Sequence, residues 1–228
     1  MENRNSLKNK VRSGFGNSWQ LGTFWEIPVK VHWTFGLLIL FVSYTAFSSG
    51  FELWQGVGFV VYIFVLFLCV VLHEYGHALT GRKFGIKTKD IILSPIGGLA
   101  RLETMPEKPI QEFFIAIAGP LVNLFIATTL ATILHFSTGR IFPDMTLFKF
   151  NDSFEFIRWI TWMNFALFFF NLIPAFPMDG GRILRSLLAA KMGTIKATKI
   201  ASFIGRVLAI GFVIFGVFNQ QLTLPLIG

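Results

Sequence analysis

Apolar stretches of membrane-spanning length recur along this chain and constrain its fold more than any other feature. A transmembrane helix needs about 20 consecutive, mostly apolar residues. Five stretches of this kind are predicted to span the bilayer, at about residues 31–47, 55–80, 109–136, 154–176 and 196–219. Only 14% of the residues are charged, whereas soluble domains average about a quarter. We therefore expect an all-α polytopic membrane protein with about five to six transmembrane helices, in which a polar lead-in of residues 1–30 precedes a core of residues 31–228.

The distribution of positive charge indicates how the chain is oriented. Lysine and arginine together number five in residues 1–30, none in the 48–56 loop, six in residues 81–109 and six in residues 182–206. This alternation is the positive-inside pattern of multi-pass membrane proteins. It predicts a protein of the cell membrane with its N-terminus in the cytoplasm. The formal charge of +8 does not indicate nucleic-acid binding, because the cations are not gathered in one domain or on one helix face.

The second predicted span ends in the motif His73-Glu74-Tyr75-Gly76-His77. Residues four apart share a helix face, so His73 and His77 can direct two imidazole nitrogens at one metal ion. Glu74 is turned about 100° away from His73, where its carboxylate can serve as a general base toward water. Ionisable side chains are costly within a membrane-length helix and mark a functional site. We predict a metal site here, toward the cytoplasmic side.

A catalytic zinc site of this kind needs a third protein ligand. Asp179 is the best-placed carboxylate, since it follows the fourth predicted span on the side where the second span ends. The alternative is that Asp179 caps the helix predicted at 181–190. His32 is a rival ligand, although a lone histidine at a helix end usually makes a local hydrogen bond. His135 is predicted at the opposite end of the third span, too far away to share the metal.

Residues 91–103 contain two short β-prone runs around Pro95-Ile96-Gly97-Gly98. This pattern predicts a short β-hairpin or a re-entrant strand region near the active site. It is also compatible with an ordinary connector. In the functional interpretation, Gly97 and Gly98 belong to an exposed strand edge that binds an extended substrate through backbone hydrogen bonds.

Asn123 is the only amide in a strongly apolar stretch of the third span, where it follows Gly119-Pro120. The Gly-Pro pair loosens a helix and lets its neighbours approach closely. Asn123 is expected either to hydrogen-bond between helices or to project into the site as a polar auxiliary.

The motif at residues 73–77, followed about a hundred residues later by Asn-Leu-Ile-Pro-Ala-Phe-Pro-Met-Asp-Gly-Gly-Arg at 171–182, resembles the site-2 protease family of intramembrane zinc metalloproteases. The resemblance covers roughly residues 25–215. It implies one zinc ion per chain, held by His73, His77 and Asp179, with Glu74 activating water. It also implies that Asn171 and Pro177 contact substrate and that Asn123 lies near the site.

The expected function is hydrolysis of a peptide bond in or near the transmembrane segment of a membrane protein, as in regulated intramembrane proteolysis. The resemblance implies a substrate that another protease has already shortened. The expected partners are that transmembrane substrate and the lipid bilayer, and no nucleic acid. A membrane metal transporter or metal sensor is the alternative, but it gives Glu74 no role and favours ligands on both sides of the midplane. A catalytically inactive membrane scaffold is a third possibility.

Overall fold

A computed structural model describes residues 18–48, 50, 52–95, 97–145 and 152–218. The start of the predicted lead-in, part of the predicted outer loop at 137–153 and the end of the chain lie outside these residues. The fold is mostly helical, with a small β-sheet. Its helices are α1 (Thr34–Ser48), α2 (Leu53–Lys83), α3 (Pro109–Thr138), α4 (Ser153–Asn171), α5 (Asp179–Met192) and α6 (Thr194–Phe218).

Three of these helices, α2, α3 and α6, are long and apolar enough to cross a membrane. They correspond to the second, third and fifth predicted spans. Helix α1 has 15 residues, which give about 22 Å of helix against a hydrocarbon core of about 30 Å. Helix α4 has 19 residues but carries Glu155, Arg158 and Asn164. The chain is a membrane protein, and its first and fourth predicted spans are represented by a short helix and a more polar one.

The sheet contains four strands in the order β1 (Ser18–Phe24), β2 (Ile27–His32), β3 (Thr88–Ser94) and β4 (Gly97–Leu102). Strands β3 and β4 form the predicted hairpin, and β1 and β2 form a second hairpin that pairs with it through a parallel β2–β3 ladder. The sheet is therefore twice as wide as the single hairpin expected within an otherwise all-α fold. Its second half comes from residues 18–32, most of which were predicted to belong to the lead-in.

The sheet packs against the half of α2 that carries the histidine motif. Ile27 and Val29 of β2 and Ile91 of β3 are buried against Tyr75 and Ala78 of α2. These strand residues alternate with side chains that point to the other face, as the two-residue period of a strand requires. The packing fixes the position of β4 relative to Glu74.

A buried carboxylate connects β2, β3 and β4 on the opposite face of the sheet. Asp90 of β3 is fully buried and accepts hydrogen bonds from Lys30 Nζ at 2.8 Å and Arg101 Nε at 2.5 Å. Burial alone would raise the pKa of Asp90, but the hydrogen bonds from Arg101 and Lys30 outweigh burial and hold this pKa below its usual range. The network therefore carries a charged carboxylate near neutral pH and keeps β2, β3 and β4 in register.

Candidate metal centre

The structure brings the imidazoles of His73 and His77 together with the carboxylate of Asp179. The two Nε2 atoms lie 3.1 Å from each other, and each lies 3.1 Å from Asp179 Oδ2. All three residues are buried. Within the described part of the chain, this is the one group of at least three His, Cys, Asp or Glu side chains whose ligand atoms all lie within 4.8 Å of one another.

Oxygen atoms on α3 determine which ring nitrogen of each histidine carries hydrogen. His77 Nδ1 lies 2.7 Å from the carbonyl oxygen of Ile115, and His73 Nδ1 lies 2.5 Å from Asn123 Oδ1. Carbonyl and amide oxygens only accept hydrogen bonds, so Nδ1 of each ring must donate. In a neutral imidazole, Nε2 is then left with an unprotonated lone pair.

A chain of hydrogen bonds reaching α4 fixes the orientation of the Asn123 amide. Asn123 Nδ2 donates to Asn164 Oδ1 at 2.9 Å, and Asn164 Nδ2 donates to the carbonyl oxygen of Ile160 at 2.9 Å. Because the Ile160 carbonyl can only accept, each amide in the chain has a single consistent orientation. Asn123 is fully buried. Of the two roles expected for Asn123, the structure shows the hydrogen bond between helices, and the same amide also orients His73. Asn123 does not line open space.

The donor set fits a zinc ion. Two imidazole lone pairs and a carboxylate oxygen converge at 3.1 Å, and these electron-rich atoms repel one another unless a cation or protons lie between them. Two histidines and one carboxylate form a known ligand set of catalytic zinc. Hydrogen bonds from the remote ring nitrogens, here to Ile115 and Asn123, are also typical of zinc-bound histidines.

Glu74 lies beside this cluster and is bound by the sheet. Its Oε2 accepts a hydrogen bond from the backbone N–H of Ala100 in β4 at 2.8 Å. A Cβ atom at Gly98 would approach Glu74 Cγ to 2.7 Å, so the glycine leaves room for the carboxylate to lie against the strand. The bond to Ala100 uses one carboxylate oxygen, and the second oxygen can accept a proton.

Gly119 allows α3 to lie directly against the two imidazoles. A Cβ atom at this position would collide with Nε2 of both His73 and His77. On the facing helix, Gly76 of α2 lies against the backbone of α3. A Cβ atom at Gly76 would come within 2.7 Å of the Ala118 carbonyl oxygen. This close approach is what the Gly-Pro pair predicted, and it places Ile115 and Asn123 within reach of the imidazoles.

Asp179 is the first residue of α5, after the turn that follows α4. The N-cap position belongs to Met178, so Asp179 lies one residue past the capping position that was considered for it. The tight turn depends on Gly180 and Gly181, since a Cβ atom at either position would collide with the backbone of residues 172–176.

A buried ion pair connects α5 to the start of α3. Arg185 Nε donates to Glu112 Oε1 at 2.9 Å, and a second guanidinium nitrogen bonds the same oxygen. Glu112 is buried, and the guanidinium lies 5.7 Å from the ring centroid of Phe176 in the turn before Asp179. The structure thus pairs Arg185 inside the bundle. The pair connects the helix of Asp179 to the helix that supplies the Ile115 acceptor.

The remaining candidates lie outside the cluster. The Asn171 amide ends α4 and donates to the Leu167 carbonyl oxygen at 2.9 Å, and Pro177 is exposed in the turn before Asp179. Gly97 begins β4 with a φ of +139° and open space where a side chain would lie. His32 Nδ1 makes a local hydrogen bond to Thr34 Oγ1 at 2.7 Å, as expected of a lone histidine at a helix end.

Asn164 and the Glu112–Arg185 pair were not among the residues predicted from the sequence. For Asn164 the signal was available, because it is an amide in an apolar, phenylalanine-rich segment, the same observation that singled out Asn123. Glu112 and Arg185 are 73 residues apart, and no local pattern connects them.

We expect the substitution Asn164→Leu to weaken zinc binding by about 10–100-fold, the usual effect of losing an outer partner of a metal ligand. Without Asn164, the Asn123 amide can flip and donate to His73 Nδ1, which then moves the ring hydrogen to Nε2. Zinc affinity is measured by competition with a chromophoric chelator. Thr161→Val is the matched control, because Thr161 is equally buried on α4 but bonds only to its own helix. Wild-type affinity in Asn164→Leu would contradict the assigned role.

Single substitutions of the α3–α5 ion pair should be strongly destabilising. Glu112→Gln leaves Arg185 without its carboxylate, and breaking a buried pair typically costs about 3–5 kcal/mol. The charge swap, Glu112→Arg combined with Arg185→Glu, should recover part of the melting temperature and zinc content that Glu112→Arg alone loses. Additive losses in this double-mutant cycle would show that the two residues are not coupled.

The chain is similar in sequence to known proteins. The profile of Peptidase family M50 matches residues 61–212, a range that includes both histidines, Glu74 and Asp179. A zinc metalloprotease of Methanocaldococcus jannaschii is 37% identical over 201 residues, which cover 88% of this chain and 54% of that protein. Stage IV sporulation protein FB of Bacillus subtilis is 31% identical over 141 residues, covering 59% of this chain and 43% of that protein.

A solved structure is also similar. The site-2 protease from Methanocaldococcus jannaschii superposes with a TM-score of 0.66 at 35% identity, covering 92% of this chain and 89% of that one. The chain spans about half the length of the curated relatives it matches most extensively.

Proposed function

We propose that this chain, which belongs to Peptidase family M50, is an intramembrane zinc metalloprotease that hydrolyses a peptide bond in or near the transmembrane segment of a membrane-protein substrate. One observation carries the proposal. Two imidazole nitrogens and a carboxylate oxygen converge at 3.1 Å near the end of a membrane-length helix, and a second carboxylate, Glu74, lies next to them on the same helix.

His73, His77 and Asp179 would hold the zinc ion, one per chain. When bound, zinc polarises the scissile carbonyl and makes water more acidic. Glu74 takes the proton from the attacking water and passes it to the leaving amine. The hydrogen bond from Ala100 holds the Glu74 side chain in position for this transfer, and Asn123 and Ile115 hold the two imidazoles.

We propose that substrate binds in an extended form along the outer edge of β4. Neighbouring residues of a strand point their N–H groups to opposite sides. Ala100 N–H points to Glu74, so the backbone groups of Gly98 point to the same outer side, where no strand pairs within the described residues. A substrate strand paired with Gly98 would bring its backbone to Glu74. Asn171 and Pro177 are proposed to contact it from the turn before Asp179.

A substrate helix must unwind before it can bind in this way, because its carbonyl groups are occupied by intrahelical bonds. Helix-breaking residues near the cut site should therefore favour cleavage.

The charge distribution supports a multi-pass arrangement in the cell membrane, with the N-terminus and the active site toward the cytoplasm. The resemblance to site-2 proteases further implies that another protease has already shortened the substrate, as in regulated intramembrane proteolysis.

The test is cleavage of a model single-span membrane protein by the purified full chain in detergent or nanodiscs. We expect cleavage that stops when a zinc chelator is added and returns with zinc. A matched substrate whose helix-breaking residues are replaced by leucine should be cut more slowly. Zinc-dependent ion flux in liposomes, without cleavage of any such substrate, would instead favour the metal transporter.

A further inference from the structure

The hairpin formed by β1 and β2 exposes a compact group of large apolar side chains. Trp19, Leu21, Phe24 and Trp25 are each 57–67% exposed, and we call this group the aromatic edge. Exposed apolar groups of this size mark an interaction surface rather than an ordinary part of a protein's surface. The proposed protease chemistry, at Glu74 and β4 at the opposite edge of the sheet, does not use it.

The side chains of β1 are divided by polarity. Trp19 pairs with Val31 and Phe24 pairs with Ile27, and paired residues point to the same face of a sheet. Ile27 lies in the core that packs on α2. The aromatic rings therefore point to the face that packs on α2, but at the outer strand they extend past the helix.

The polar side chains of β1 point to the other face. Gln20 pairs with Lys30 and Thr23 with Pro28, and the Gln20 amide donates to Thr23 Oγ1 at 2.9 Å. A strand with one aromatic and one polar face suits a boundary between an apolar and an aqueous phase.

The hairpin turn is anchored to a membrane-spanning helix. Tyr75 Oη donates to the carbonyl oxygens of Phe24 at 3.2 Å and Ile27 at 3.3 Å, and the Arg82 guanidinium donates to the Trp25 carbonyl oxygen. Arg82 lies in the last turn of α2. The aromatic edge is thus held against the last turns of α2, between Tyr75 and Arg82, and the end of a spanning helix lies near the bilayer boundary.

The β1–β2 turn has a tryptophan, Trp25, at a position where glycine or asparagine would be less strained. Trp25 and Glu26 have φ angles of +48° and +64°, a conformation that two-residue hairpin turns require and that Asn-Gly adopts most readily. The Trp25 ring also packs edge-on against Tyr75, with centroids 5.2 Å apart. A strained position occupied by a large aromatic residue indicates that its side chain is needed there.

The charges that precede β1 in the sequence, together with those at the end of α2, match a lipid surface. Residues 1–17 carry Arg4, Lys8, Lys10 and Arg12 against the single acid Glu2, and α2 ends with Arg82 and Lys83. Clustered cations beside aromatic side chains are the combination that binds the headgroup region of a bilayer containing anionic lipids.

We propose that the β1–β2 hairpin is an interfacial membrane anchor. Trp19, Leu21, Phe24 and Trp25 insert between the lipid headgroups and the upper acyl chains next to α2. Because β1 to β4 form one continuous sheet, the anchor fixes the depth at which β4 and its free edge lie relative to the bilayer. This inference rests on the chain being a membrane protein and holds whether or not the proposed proteolysis is correct.

The depth of individual β1 positions tests the proposal. Cys69 is the single cysteine and is replaced by alanine, after which Trp19→Cys, Phe24→Cys, Gln20→Cys and Thr23→Cys are labelled one at a time with a nitroxide. Nanodiscs contain phosphatidylethanolamine and phosphatidylglycerol. We expect labels at 19 and 24 to collide more with oxygen than with a water-soluble nickel chelate, and labels at 20 and 23 to show the reverse.

Two results would overturn the proposal. Nickel-accessible labels at all four positions would place the hairpin in water. Labels at 19 and 24 that are immobilised and shielded from both reagents would show that protein covers the aromatic edge, either a second chain or residues 1–17.

Fluorescence quenching gives a second readout with milder substitutions. The variant with Trp19→Phe and Trp25→Phe should lose a measurable share of the quenching that lipids brominated near the headgroup cause in the wild type. Unchanged quenching would mean that neither tryptophan touches lipid.

Discussion

Glu74→Gln should leave zinc bound and reduce peptide hydrolysis by about 10²–10⁴-fold, the usual contribution of a general base. Glutamine has nearly the same shape as glutamate, and its amide oxygen can still accept the hydrogen bond from Ala100 N–H. It cannot take up a proton. The three proposed ligands do not include Glu74, so the zinc content should remain at about one ion per chain.

The measurement is the cleavage rate of a model single-span substrate, together with the zinc content of both proteins. Glu103→Gln is the matched control, because Glu103 follows β4 as an exposed carboxylate and should retain full activity. An active Glu74→Gln protein would refute the role of Glu74 as the base. Loss of zinc along with activity would show instead that Glu74 holds the metal or maintains the fold.

The short motif at residues 73–77 was sufficient to predict the convergence of His73 and His77. Their spacing of four residues determines a shared helix face without knowledge of the rest of the fold. Asp179 was harder to assign, since its position depended on counting membrane crossings from apolar stretches. The prediction depended on which end of each span lies on which side, and the 3.1 Å separations from both histidines agree with it.

The sheet could be predicted only in part, for a physical reason. A hairpin such as β3–β4 is a local structure whose turn residues are adjacent in sequence. The parallel pairing of β2 with β3 joins Val29 to Ile91, and nothing in either segment specifies such a distant partner. The β1–β2 turn was also concealed, because Trp25-Glu26 lacks the Asn-Gly signal that usually identifies a tight hairpin.

The buried polar partners of the metal ligands also could not be predicted fully from the sequence. Asn164 acts on His73 through Asn123, and its effect depends on the Ile160 carbonyl oxygen, which fixes the direction of both amides. Hydrogen-bond direction is a property of the folded arrangement and leaves no trace in residue spacing. The sequence therefore indicated which side chains could bind metal, while the structure supplies the groups that hold them in the right tautomer.

Asp179→Ala should abolish both zinc binding and cleavage. The substitution leaves only two ligands, and two imidazoles alone do not complete the three-ligand set of a catalytic zinc site. The loss of zinc affinity should exceed the 10–100-fold that removal of an outer partner costs. Asp152→Asn is the control, because Asp152 caps α4 by accepting from Phe154 N–H and an amide oxygen can replace the carboxylate there.

Asp179→Ser separates a ligand from a helix cap. Serine is a good N-cap residue but a poor substitute for a carboxylate on zinc, so a metal ligand predicts that Asp179→Ser fails as completely as Asp179→Ala. A capping role predicts the opposite, namely wild-type zinc content in the serine variant. Asp179→Glu completes the series, since it keeps the carboxylate on a longer side chain and should retain some zinc if its charge is what the two histidines need. Zinc content measured on all three variants, with melting temperatures to exclude unfolding, decides between the two roles.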